Sequence, residues 1–259
     1  MSVLSAKDVC LNLKGRDILK HVSLELDTGL VGLVGPNGAG KSSLLRVLAG
    51  IWTPDAGQAL LGDAPLTGMD APDRARRLAF LPPERDMHWP LPVDHVVSLG
   101  RMPHRGPFAP WSDEDAVAVD QALDAVDAMH LKDRSVSELS NGERARVLLA
   151  RALAVDAPLL LVDEAIAALD PGHQLQVMEV LKSEAGKGRL VLAVLHDLTM
   201  ARRYCDDIVL MTEGTIHAHG SAQEVLTAKN LGDVYGIEVE TGMAQGQPFI
   251  LPTRQIGDK

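Results

Sequence analysis

Aromatic residues are scarce: three Phe, three Trp and two Tyr make up 3% of the 259 residues. That is too few to build a stacking platform for bases or sugars. Cysteine is nearly absent. Cys10 and Cys205 form no C-x-x-C pair and no disulfide framework, and both read as buried or reduced thiols. Positive charge is in deficit, with 25 Lys and Arg against 35 Asp and Glu for a net charge of -10. A chain of that sign repels phosphate backbones and anionic lipid, which argues against nucleic acid as a partner. No apolar run approaches the ~18 to 20 residues of a membrane span. The opening MSVLSAKDVC lacks the basic and apolar regions of a signal peptide. The expectation is a cytosolic protein. What the chain does have is 46% hydrophobic and 23% charged residues, enough apolar material for one large α/β domain or two small ones.

Alternation at Val9, Leu11 and Leu13, and again at Val22, Leu24 and Leu26, predicts two half-buried strands joined by a turn at Gly15. Leu30 to Val34 is continuously apolar, as a fully buried strand is. A helix is predicted from Ser43 to Ala49, ending at Gly50. From about Pro90 to Val155 strand signals vanish: Ser112 opens a helix with Val119, Leu123, Val126 and Met129 on one stripe, so this segment is expected to be all-helical. Strands return at Leu159 to Val162, Leu190 to Leu195 and Ile208 to Met211, with a helix after Pro171 between the first two. Such alternation implies a parallel sheet covered on both faces. Glu213-Gly214 reads as a turn before one more strand, Ser221 with Glu224 as a capping box, and the tail beyond Gly242 as loosely held.

Gly35-Pro36-Asn37-Gly38-Ala39-Gly40-Lys41-Ser42 matches G-x-x-x-x-G-K-[ST] between a buried strand and a helix, the setting that motif needs. Its glycines turn backbone N–H groups inward around phosphate oxygens, Lys41 reaches the β- and γ-phosphates, and Ser42 can ligate Mg²⁺. Leu159 to Val162 ends in the adjacent carboxylates Asp163 and Glu164. Acids there need a partner, and Asp163 suits Mg²⁺ while Glu164 can polarise an attacking water. His196 follows another apolar strand, at the edge where parallel-sheet ligands bind. Leu139-Ser140-Asn141-Gly142-Glu143 precedes a helix carrying Val147, Leu148 and Leu149, and by itself is a helix cap.

Taken in order, these motifs resemble the ATP-binding cassette (ABC) ATPases over almost the whole chain: Gly35 to Ser42, the LSNGE signature, Asp163-Glu164, the Ala168-Leu169-Asp170 loop, and His196. Other P-loop classes fit less well, since the chain has no N-K-x-D and small-molecule kinases carry no LSNG-like signature. The resemblance implies an α/β fold: a P-loop NTPase core with mixed sheet (1–89 and 156–259), an antiparallel β subdomain, and an inserted α-helical subdomain (90–155) holding the signature. It implies a homodimer with ATP at the interface, bound by Gly35 to Ser42 and Ser43 of one copy and by Ser140, Asn141 and Gly142 of the other, with Asp170 lining that interface. Glu164 and His196 would be catalytic, and Ser42 and Asp163 would hold Mg²⁺. Val93 to Gly106, His196-Asp197-Leu198 through Tyr204, and Asn230 to Gly236 resemble the importers of iron-siderophores, haem and cobalamin. The expected function is therefore the ATP-hydrolysing subunit of such an importer, peripheral on the cytoplasmic face of the inner or plasma membrane, partnered with integral permease subunits and not binding the cargo itself.

Four features depart from the family's pattern. Pro83 stands where the family usually has Gln, which contacts Mg²⁺ and water and links the site to the permease. Asn141 replaces a preferred Gly, and Asn is among the residues best able to adopt positive φ. Ala165-Ile166 replace Pro-Thr or Pro-Ser. No aromatic residue precedes Trp52, so Leu13, Lys14 or Arg16 must cover the adenine, or nothing does. The alternative function consistent with these departures is a nucleotide-gated binding protein that dimerises on ATP with little turnover.

Overall fold

Lys14 and Gly15 both take positive φ, 52° and 82°, the geometry of a two-residue hairpin turn whose twist matches its strands. They join β1 (Leu4–Leu13) to β2 (Arg16–Leu26), antiparallel with Leu4 opposite Leu26 and Leu13 opposite Arg16. Val9, Leu11, Val22, Leu24 and Leu26 are buried as the alternation requires, and Leu13 at the turn is 37% exposed. This computed structural model describes residues 3–83, 90–106, 109–164 and 169–257. β3 (Gly29–Val34) follows, then α1 (Lys41–Leu48), which begins two residues before the expected Ser43. It stops where Gly50 takes φ 65°. β4 (Ala56–Leu61) pairs with the other edge of β1, and β5 (Ala64–Pro65) turns back on β4, giving an antiparallel sheet in the order β2-β1-β4-β5.

The next stretch comprises α2 (Ala71–Arg77), β6 (Leu78–Leu81), α3 (Val93–Ser98), α4 (Asp113–Ala125), α5 (Asn141–Leu153), β7 (Leu159–Val162) and α6 (Pro171–Gly186). Among the described residues from 90 to 155 the regular structure is helical, broken only by a bridge between Pro92 and Ser135. Ser112 does open α4 in a full capping box with Asp115. The expected stripe is shorter than its spacing suggested: Val119, Leu123 and Val126 are buried but Met129 is 39% exposed. Asp127 takes φ 52°, which ends the helical period before Met129 is reached. β6 and β7 pair in parallel, Leu78 with Leu159 through Leu81 with Val162. An enclosed ion pair ties this stretch together. Arg101 Nε donates to Asp115 Oδ1 at 3.0 Å and Arg101 Nη1 to Ala154 O at 2.9 Å, while the Asp115 backbone N–H is accepted by Ser112 Oγ.

β8 (Leu190–Val194), α7 (Leu198–Tyr204), β9 (Asp207–Thr212), β10 (Thr215–Ser221), α8 (Ala222–Val225), α9 (Ala228–Tyr235), β11 (Ile237–Ala244) and β12 (Gln247–Gln255) complete the chain. β8 and β9 flank β3, both parallel to it, and β10 returns antiparallel to β9 through Glu213 and Gly214. Leu30 to Val34 and Leu190 to Val194 are buried throughout, as strands covered on both faces are. Ser221 Oγ accepts the N–H of Glu224, but the Glu224 carboxylate bonds the Ser221 hydroxyl instead of its N–H, so only half of the expected capping box forms. The tail is not loose. Gln245 and Gly246 take φ 50° and 76° and fold β11 onto β12. Ile250 is 5% exposed and exchanges two hydrogen bonds with Thr199 Oγ1, at 2.9 and 3.0 Å.

The chain divides into two compact units, one of residues 1–68 and 190–259 and the other of residues 69–189. Cys10 is half-buried, Cys205 is buried, and neither is joined in a disulfide. Among the described residues no helix is long and apolar enough to cross a membrane.

Candidate functional site

In the discontinuous unit, Gly35 to Ser42 form the turn from β3 into α1. Gly35 has φ 152°, and a Cβ there would lie 2.3 Å from the Met211 carbonyl oxygen, so no side chain fits. Gly40, at φ 96°, caps α1, and its missing Cβ would lie 2.9 Å from the Ile18 carbonyl of β2. Pro36, Asn37, Gly38 and Ala39 make the bend between them, closed by Ala39 N–H to Pro36 O at 3.2 Å. Lys41 is 5% exposed. Its Nζ donates to Gly35 O at 2.7 Å and Pro36 O at 3.0 Å. No side chain caps the start of α1, whose first turn carries Ser42 and Ser43. A glycine-lined bend, a helix N-terminus and a buried ammonium make an anion cradle suited to phosphate.

Two further groups belong to this unit. Leu195 N–H bonds Leu33 O at 3.1 Å, so His196, exposed just beyond it, sits at the same sheet end from which the cradle springs. Asp197 caps α7 by accepting Met200 N–H at 2.9 Å, which fixes the turn after His196. The other is Tyr235, at the end of α9. Burial pushes its phenol up to about 12, against a hydrogen bond from the Gly35 backbone that favours the charged form. The contact ties the C-terminal segment to the first glycine of the cradle. Tyr235 falls in the Asn230 to Gly236 stretch singled out by resemblance, but nothing in the sequence pairs it with Gly35.

In the continuous unit, Asp163 N–H bonds Leu81 O at 2.9 Å, extending the β6–β7 ladder by one rung. Asp163 is fully buried. Glu164, half-buried, takes φ 52°, an uncommon conformation for a residue with a side chain. Ser140 caps α5: its Oγ accepts Glu143 N–H at 3.3 Å and its N–H donates to Glu143 Oε2 at 2.8 Å. That N–H, with the Ser140 hydroxyl, holds the Glu143 carboxyl below the ordinary range. Asn141 is the first helical residue of α5 and does not take positive φ, so the left-handed tolerance expected of it is not used. Asp170 caps α6 by accepting His173 N–H at 3.1 Å. That bond, with the His173 ring, holds its carboxyl below the usual value. Pro82 and Pro83 are half-buried beyond β6. Glu84, Ala165, Ile166 and Ala168 lie outside the described residues.

The Ser42 hydroxyl in one unit and the Asp163 carboxylate in the other are each hard oxygens, the kind of side-chain group that Mg²⁺ takes beside substrate phosphates and water. No cluster of three or more His, Cys, Asp or Glu among the described residues could hold a metal unaided.

The family model described as ABC transporter matches residues 19–167. The Hemin import ATP-binding protein HmuV of Pseudomonas entomophila is 42% identical over 257 residues, covering 96% of this chain and 99% of that protein. The Cobalamin import ATP-binding protein BtuD of Halobacterium salinarum is 40% identical over 234 residues, 90% of this chain and 58% of that one. Among solved structures, an inward-facing ABC transporter assigned to the metal-chelate type superposes with a TM-score of 0.85 at 24% identity, over 98% of both chains. At that identity the likeness shows the fold.

Proposed function

Because the chain belongs to the family of ABC transporter ATPases, we propose that it hydrolyses Mg-ATP as a homodimer on the cytoplasmic face of a membrane permease, powering import of an iron chelate, haem or cobalamin. The observation that carries this reading is the Gly35 to Ser42 cradle with the Lys41 ammonium buried at its base. The cargo class is supported by what the relatives' names say they import. In this reading Lys41 exchanges its two carbonyl partners for β- and γ-phosphate oxygens, and Ser42 and Asp163 hold Mg²⁺. Glu164 accepts a proton from the water that attacks the γ-phosphorus, ADP leaves, and His196 steadies the γ-phosphate. Ser140, Asn141 and Gly142 of one copy donate to the ATP held in the other copy's cradle, with Asp170 at the contact.

Purified protein is expected to release phosphate from ATP only with Mg²⁺ present, and faster in membranes bearing the permease that co-purifies with it. Pro83→Gln should raise the stimulated rate further, because proline offers neither the amide group of the family's glutamine nor a backbone N–H. ATP-driven dimerisation without Mg-dependent phosphate release in either setting would favour the nucleotide-gated binding protein, for which Pro83 is the supporting observation.

Adenine recognition is expected to be weak. The β1–β2 turn offers Leu13, Lys14 and Arg16, all exposed, and no ring, while Trp52 lies beneath the Arg46 guanidinium at 4.9 Å. Base stacking on an aromatic is worth ~1 to 3 kcal/mol, so affinity should be lower by roughly 5- to 150-fold than with a stacking ring. ATP and GTP should bind with similar affinity in equilibrium titrations; a strong preference for ATP would show that another group reads the base.

A further inference from the structure

The first turns of α5 and α6 meet through one side chain. His173, in the first turn of α6, places Nδ1 2.5 Å from Asp170 Oδ2, while its backbone N–H donates to Asp170 Oδ1 at 3.1 Å. One residue therefore occupies both oxygens of that carboxylate. The same ring lies against Gly142: a Cβ built there would stand 3.1 Å from Cγ, Cδ2 and Cε1 of His173. Gly142 has helical backbone, so its fit beside the ring, and not its φ, is what limits a side chain there. The His173 side chain is 32% exposed and is thus wedged, not enclosed.

We propose that His173 is a positioning residue that holds Asp170 and the signature turn at Gly142 as one element, so that ATP-driven dimerisation meets both already in register. The proposal rests on the dimer reading above. Without the imidazole, Asp170 keeps only backbone partners, the N–H groups of His173 and Gly172, its Oδ2 loses its side-chain anchor, and Gly142 loses the wall against which the start of α5 packs. Each freedom would have to be frozen when two copies close on ATP. The cradle that binds ATP in a single copy lies in the other unit, so binding by the monomer should be spared.

The test uses the full chain carrying Glu164→Gln, with dimer formation followed by size exclusion across an ATP titration. Glu164→Gln alone must dimerise on ATP; if it does not, the dimer reading and this proposal both fall. Given that dimer, adding His173→Ala should raise the ATP concentration for half-dimerisation about tenfold, the scale of one charge-assisted hydrogen bond. Monomer affinity for ATP should change by less than about twofold. Asn and Gln then separate positioning from bulk. The Asn amide nitrogen replaces Nδ1 and should restore most of the loss, whereas that of Gln corresponds to Nε2 and should restore little. Should His173→Ala not fold, the Asn and Gln variants decide alone. Dimerisation of His173→Ala at unchanged ATP concentration, or equal behaviour of the Asn and Gln variants, overturns the proposal.

Discussion

Glu164→Gln should bind ATP as the unaltered chain does and hydrolyse it roughly 10² to 10⁴ times more slowly, the usual scale for removing an acid–base group. The amide keeps the size and a hydrogen-bonding oxygen of the carboxylate but cannot take up the water's proton at neutral pH. Placement singles Glu164 out. It follows a strand buried along its whole length, its neighbour Asp163 is fully buried, and it holds positive φ at a point where chain direction is set by the ladder. Such conformations persist when the surroundings enforce them, and they concentrate at functional sites. Single-turnover phosphate release measures the effect directly. Because binding survives while hydrolysis stalls, the variant should also accumulate an ATP-bound dimer. Turnover near that of the unaltered chain would end the assignment.

Asp115→Ala should lower the stability of the continuous unit by about 3 kcal/mol, at the low end for breaking a buried ion pair because the pair lies at shallow depth. Asp115 is 4% exposed and Arg101 9% exposed, so removing the carboxylate strands a guanidinium that water reaches poorly. The α4 cap loses its reciprocal bond in the same step. Urea denaturation should show the midpoint fall. The double variant Arg101→Met with Asp115→Leu should recover much of the loss, since exchanging a buried pair for packed apolar groups is often close to neutral. Acidity probes the same pair. Burial pushes the Asp115 carboxyl up, but hydrogen bonds from Arg101 and Ser112 outweigh it and hold it below the ordinary carboxylate range. Its stabilisation is therefore fully present above the unfolded value and lost as pH falls through the lower folded one, and Asp115→Asn should flatten that acid limb. A loss under about 1 kcal/mol for Asp115→Ala would mean that the pair is solvated like a surface contact.

Where the chain is buried on two faces, and at the Ser112 cap, reading and structure agree. Leu30 to Val34 and Leu159 to Val162 are strands because nothing polar interrupts them, and Ser112 begins a helix because Asp115 returns its bond. The cradle was equally plain, since its glycines meet steric demands visible as a fixed spacing. What escaped depends on partners distant in sequence or on a single backbone angle. The Gln, Gly and Pro content beyond Gly242 reads as loose, yet a two-residue turn and the Thr199 hydroxyl hold that segment. Asp127 cut short a stripe whose spacing was otherwise helical. Tyr235 against Gly35 and His173 against Gly142 follow no period, so no pattern could announce them.

The discontinuity of the first unit also sets an order of events during synthesis. β3 emerges early, but its two parallel neighbours, β8 and β9, are encoded only after residue 189. At about 5 to 20 residues per second, the apolar run Leu30 to Val34 leaves the ribosome on the order of ten seconds before it has a strand to pair with. In the segment from 69 to 189 the wait is shorter, since β6 at Leu78–Leu81 meets β7 at Leu159–Val162. Nascent chains arrested before residue 190 should therefore carry an unpaired, aggregation-prone strand, and yield in the cell should depend on holdase chaperones more steeply than the finished fold would suggest.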